Sequence, residues 1–141
     1  MNENLKIQDK NIRIAVFMGG TVGKTDKHHT IDWEETCKTA PEQWDDDNEY
    51  SNILWCFAEG LRYHFDWHWL MQVVEKIHEI GTARIVISNN IASVIPTSEA
   101  IKKYVHEQHF CNDKMIILAY NAVYSFVEKY LYNKDNGYAN K

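Results

Sequence analysis

The stretch AVFMGGTVGKT, Ala15 to Thr25, decides the fold. Read as a phosphate-binding loop, it would demand a strand before it, a helix after it and a nucleotide site around it. Such a loop needs glycine, four residues, then Gly-Lys-Ser/Thr, so that backbone N–H groups wrap a phosphate. Counting back from Gly23-Lys24-Thr25, the first glycine belongs at position 18, and that residue is Met18. The segment that follows, DKHHTIDWEET (26–36), lacks the apolar face of a phosphate-receiving helix. The stretch therefore reads as a glycine-broken surface loop. Upstream, Ile12 to Met18 is a short, nearly all-apolar run that fits either a buried strand or a short helix, and Gly19-Gly20 ends it.

Working outward, the strongest periodic segment is DWHWLMQVVEKIHEIG, 66–81. Asp66 suits an N-cap, because its carboxylate accepts from the exposed N–H groups of a first turn. Leu70, Val73, Val74, Ile77 and Ile80 give one apolar face, and Gly81 suits the residue just past the helix end. ARIVISNNIASVIP, 83–96, alternates around Asn89-Asn90 and predicts an antiparallel hairpin. Residues 97–108 fit a short helix capped by Thr97 or Ser98. A second long amphipathic helix follows over 113–132, with Ile116, Ala119, Tyr120, Val123, Val127, Tyr130 and Leu131 on one stripe. Residues 21–62 read as irregular, with Ser51 to Glu59 a short helix or strand. The expected fold class is α+β: a small antiparallel sheet layered with two long amphipathic helices, 66–80 and 113–132, and shorter helices. Residues 1–10 and 134–141 read as flexible tails around one domain, 11–133.

Composition narrows the function. The 141 residues carry a net charge of −5, which argues against sequence-independent binding to nucleic acid backbones. No apolar run approaches a membrane span. The polar start MNENLKIQDK is unlike a secretory signal. Cys37, Cys56 and Cys111 form no paired framework and read as free thiols in a reducing cytoplasm.

Three groups of side chains are candidates for chemistry. His64, Asp66 and His68 have the residue types of an acid–base group, and a hydrolase-like reading would rest on them. Yet an Asp66 committed to capping would separate the two histidines, and no nucleophile is marked beside them. His106, His109 and Cys111 form a second loose cluster without the ligand pairs of a structural metal site. No metal, cofactor or catalytic residue is therefore expected. The acidic and aromatic stretch 32–59 is the most distinctive feature. Aromatic faces beside carboxylates bind cations, amines, bases or a basic protein surface. Its candidate contact residues are Trp33, Trp44, Asp45, Asp46, Asp47, Tyr50 and Trp55, joined by Tyr63 and His64.

Three blocks taken together resemble the phage ABA sandwich domain family, small proteins of unassigned function encoded mostly in phages and prophages. They are IRIAVFMGG (12–20), LRYHFDWHWLMQVVEKI (61–77) and DKMIILAYNAVYSFVEKYLYN (113–133). The central block is the most specific, through Tyr63-His64, Asp66-Trp67, Trp69-Leu70-Met71 and Val73 to Ile77. His68 departs from the pattern, and 21–60 and 97–112 do not align. The resemblance implies a layered α/β fold and a short helix over 12–18 ending at Gly19-Gly20. It supplies no catalytic residues. It implies a phage or prophage accessory protein of the host cytoplasm, of the host-takeover or anti-defence type, that binds a host bacterial protein or a small ligand without catalysis. Sequestration of a nucleotide-like molecule by the aromatic stretch is the alternative within binding. Self-association into a homo-oligomer is a further expectation.

Overall fold

The computed structural model of the protein describes residues 3–44, 50–88, 91–96, 107–110 and 115–135. The chain divides into two compact units, Met1–Val73 and Val74–Lys141. The fold class is α+β, with three α-helices and small antiparallel sheets among the described residues.

Helix α1 spans Glu3–Phe17, so the helix expected over 12–18 begins well upstream, inside the segment read as a tail. An Arg13–Asp9 ion pair of 3.4 Å one turn apart supports its exposed side. Asn11, Ile14, Ala15, Phe17 and Met18 are buried. The Gly19 N–H donates to the Val16 carbonyl at 3.0 Å and the Gly20 N–H to the Ala15 carbonyl at 2.8 Å. With Gly19 at φ +93°, this is a Schellman helix end. The Gly-Gly pair thus terminates a helix and cradles no phosphate.

The rest of the quoted stretch is β structure, which corrects the irregular reading of 21–62. β1 (Thr21–Lys24) and β2 (His29–Asp32) form a hairpin closed by the Thr25 N–H donating to the His28 carbonyl at 2.8 Å. β3 (Glu42–Trp44) and β4 (Tyr50–Asn52) form a separate hairpin. β5 (Trp55–Phe57) joins the first sheet, giving the antiparallel order β1-β2-β5. A 3-10 turn at Ala58–Gly60 follows. The core of this unit holds Ile14, Met18, Ile31, Leu61, Tyr63, Trp69, Leu70 and Val73.

Helix α2 spans Trp67–Ile80 and is followed by Gly81 at φ +84°. In the second unit, β6 (Ala83–Ser88) and β7 (Ile91–Pro96) form the expected hairpin, with Ile85 opposite Val94 and Ile87 opposite Ala92. β8 (Glu107–Phe110) adds to β7. A helix over 97–108 is thereby corrected at Glu107 and Gln108, which are strand; 97–106 lies outside the described residues. Helix α3 spans Met115–Asp135 and packs on this sheet through Leu118, Ala119, Ala122, Val123, Phe126 and Val127, all buried. Alternation supplies the sheet's inner row of Ala83, Ile85, Ala92 and Val94, the pattern of a sheet with one covered face.

Candidate functional site

The acid–base candidates take partners on different elements. Asp66 is the N-cap of α2: its Oδ1 accepts from the N–H of His68 at 2.9 Å and of Trp69 at 3.4 Å. Its other oxygen accepts from Arg62 Nε at 3.0 Å. His64 instead faces α1, with Nδ1 2.9 Å from Asn11 Nδ2. That amide nitrogen also donates to the Leu61 carbonyl at 3.5 Å, so His64 Nδ1 is the acceptor and the ring proton sits on Nε2. Burial holds the His64 pKa below the ordinary histidine value. His68 points to the β3 hairpin, where its Nε2 lies 3.3 Å from Glu42 Oε1. Gln72 reinforces that link: its Oε1 accepts from the Glu42 N–H at 3.1 Å.

The Cys56 thiol is not activated. Burial, with the Asp32 carboxylate second, pushes the Cys56 thiol up to about 11. Cys37 donates to the Met18 carbonyl at 3.6 Å beside the helix end. Among the described residues, no group of three histidine, cysteine or acidic side chains is placed to hold a metal ion. His106 and Cys111, from the second candidate cluster, lie outside the described residues.

The binding candidates separate sharply. Trp33 is 3% exposed and Tyr63 is 1% exposed, so both are core residues and cannot meet a ligand at the surface. Tyr63 packs edge to face against Trp69 at 5.2 Å, and burial raises its pKa. The carboxylates around Trp33 in sequence hide this burial, because WEET reads as a solvated loop. Trp44 and Tyr50 pair across the β3–β4 hairpin through their backbones. Asp45, Asp46 and Asp47 lie outside the described residues.

Trp55 behaves differently. It is 56% exposed on β5, and its ring meets Phe57, itself 42% exposed, edge to face at 5.4 Å. Antiparallel register places Trp55 opposite Asp32 and Phe57 opposite Thr30. Side chains opposite each other share a face. Since Ile31 and its partner Cys56 turn inward, Trp55, Phe57, Thr30 and Asp32 form the outer face of the β1-β2-β5 sheet. His28 extends it, with its ring 5.3 Å from Phe57 and its Nδ1 2.8 Å from Glu59 Oε2. Gln8 Nε2 donates to the second Glu59 oxygen at 3.0 Å. Sequence reasoning reached Trp55 through aromatic content. It missed Phe57, Asp32, His28 and Glu59 as one surface, because only strand register assembles them.

Among the described residues, no helix is long and apolar enough to cross a membrane. Comparison of the chain with protein-family models, curated proteins and solved structures finds no match.

Proposed function

We propose that this chain is a non-catalytic binding protein that engages its partner through the outer face of the β1-β2-β5 sheet. The observation that carries the reading is the exposed Trp55–Phe57 pair beside the Asp32 carboxylate. Large aromatic side chains left in water on a flat strand surface are characteristic of contact sites. The resemblance in three sequence blocks supports reading it as a phage or prophage accessory protein, of the host-takeover or anti-defence type, acting in the bacterial cytoplasm. A hydrolase-like role has little support, since His64, Asp66 and His68 are each engaged elsewhere. Sequestration of a nucleotide is disfavoured at this face, because Asp32 and Glu59 oppose a phosphate and Arg62 is already paired with Asp66.

Native mass spectrometry of the protein purified from a bacterial host tests the proposal. A co-purifying polypeptide or ligand present with the parent chain and lost with Trp55→Ser/Phe57→Ser supports it. An adduct retained by the double variant, or none with either protein, refutes it.

A further inference from the structure

The outer face of the β1-β2-β5 sheet is charged as well as aromatic, and its charge is unevenly satisfied. Glu59 is engaged from both sides, by His28 and by Gln8. Asp32 is exposed, and no ion pair to it is formed among the described residues. Register sets Asp32 between Thr21 of β1 and Trp55 of β5. One row along, Gly23 lies opposite Thr30, which lies opposite Phe57. A Cβ at Gly23 would stand 2.8 Å from Thr30 Oγ1 and 3.9 Å from Asp32 Oδ2. Gly23 thus leaves the Thr30 hydroxyl its place in the row next to Asp32 without a side chain pressing on it, while the exposed Trp55 flanks the carboxylate on the other strand.

We propose that this face takes an arginine side chain from a basic segment of the partner protein, stacked on Trp55 and forked onto Asp32. The inference rests on the binding role assigned to this face and names its partner's chemistry. Guanidinium is planar, stacks on aromatic faces and offers paired N–H donors that match a carboxylate. Ammonium would satisfy the charge but not the stacking. The chain's own charge of −5 favours a basic partner over an acidic one.

Nuclear magnetic resonance titration with two acetylated, amidated hexapeptides tests this. One alternates serine with arginine, and the other carries citrulline, a neutral isostere, in place of each arginine. The arginine peptide should shift the Trp55 indole and Asp32 signals and bind about tenfold more tightly than the citrulline peptide. Its affinity should fall with added salt. Asp32→Asn should weaken it about fivefold, and Trp55→Ala about threefold. Both sites are exposed, and an unchanged spectrum elsewhere certifies folding. Equal binding of the two peptides overturns the inference yet leaves the face as a contact surface. Shifts confined to other residues, or none, overturn it too. The fate of the broader binding reading then rests on the mass-spectrometric comparison of the Trp55/Phe57 double variant.

Discussion

Replacing Asp66 with alanine strips the start of α2 of its capping acceptor. The carboxylate accepts from the first-turn N–H groups of His68 and Trp69 through one oxygen and from Arg62 through the other. Loss of an N-cap costs about 1 kcal/mol. The Arg62 pair is partly exposed, at 40% and 21% for the two side chains, so it adds only about 0.4 kcal/mol. The expected loss is about 1.5 kcal/mol. At a urea slope of about 2 kcal/mol per molar, the midpoint falls by roughly 0.7 M. Asp66→Asn keeps a capping oxygen and removes the charge, so it should lose only the smaller part. Urea titration followed by tryptophan fluorescence reads both, because Trp69 is buried in the first turn of α2. Equal losses for alanine and asparagine, or a loss below about 0.4 kcal/mol for alanine, would refute the capping account.

Stability should also fall as pH drops below about 6.5, the unperturbed histidine value. Burial keeps His64 neutral in the folded chain while the unfolded chain takes up the proton, so the loss grows until the lowered folded pKa is reached. His64→Gln should flatten that slope below about pH 6.5 in urea midpoints. Leu70→Ala removes a fully buried side chain and should cost about 3 kcal/mol by the same denaturation assay. Gly19→Ala and Gly81→Ala both force a positive φ on a side chain, at roughly 1 kcal/mol each. Gly19→Ala should cost more, because its Cβ would meet Cys37 Sγ at 3.0 Å whereas Gly81 is open. Cys56 should react with iodoacetamide far more slowly than free cysteine at pH 8, with a rate that climbs toward about pH 11.

What was legible in the sequence was local. The Asp66 cap, the apolar face of α2 and the alternation of 83–96 each sit within one element, so spacing alone exposes them. The Schellman end at Gly19-Gly20 belongs with these, since glycine is the residue that tolerates its φ. The β1-β2-β5 sheet was not legible. Its strands are three or four residues long, and Ile31 is the one residue of β2 that is buried. Too few residues remain for a two-residue period to stand out. The burial of Trp33 and Tyr63 is hidden in the sequence because aromatic rings among carboxylates look like surface, whereas tertiary packing takes the rings inward and leaves the charges out. The pairing of Asp32 with Trp55 is a property of register between separated strands, which no local pattern records. The helical character of residues 3–10 was equally hidden, since a polar amphipathic start carries little apolar signal of its own.

The His78 ring at the border of β6 has a consequence for how this chain behaves in a crowd. Among the described residues β6 is an outer strand of its sheet, and the Ile85 N–H on it donates to His78 Nε2 at 3.1 Å. An uncovered strand border is a template on which further chains polymerise, each extending the ladder by its own backbone. A side chain from the preceding helix that consumes one of the border's donors interrupts that template mid-strand. Removing the ring, as in His78→Ala, would re-open the lattice position and should raise the rate at which concentrated protein forms thioflavin-positive fibrils.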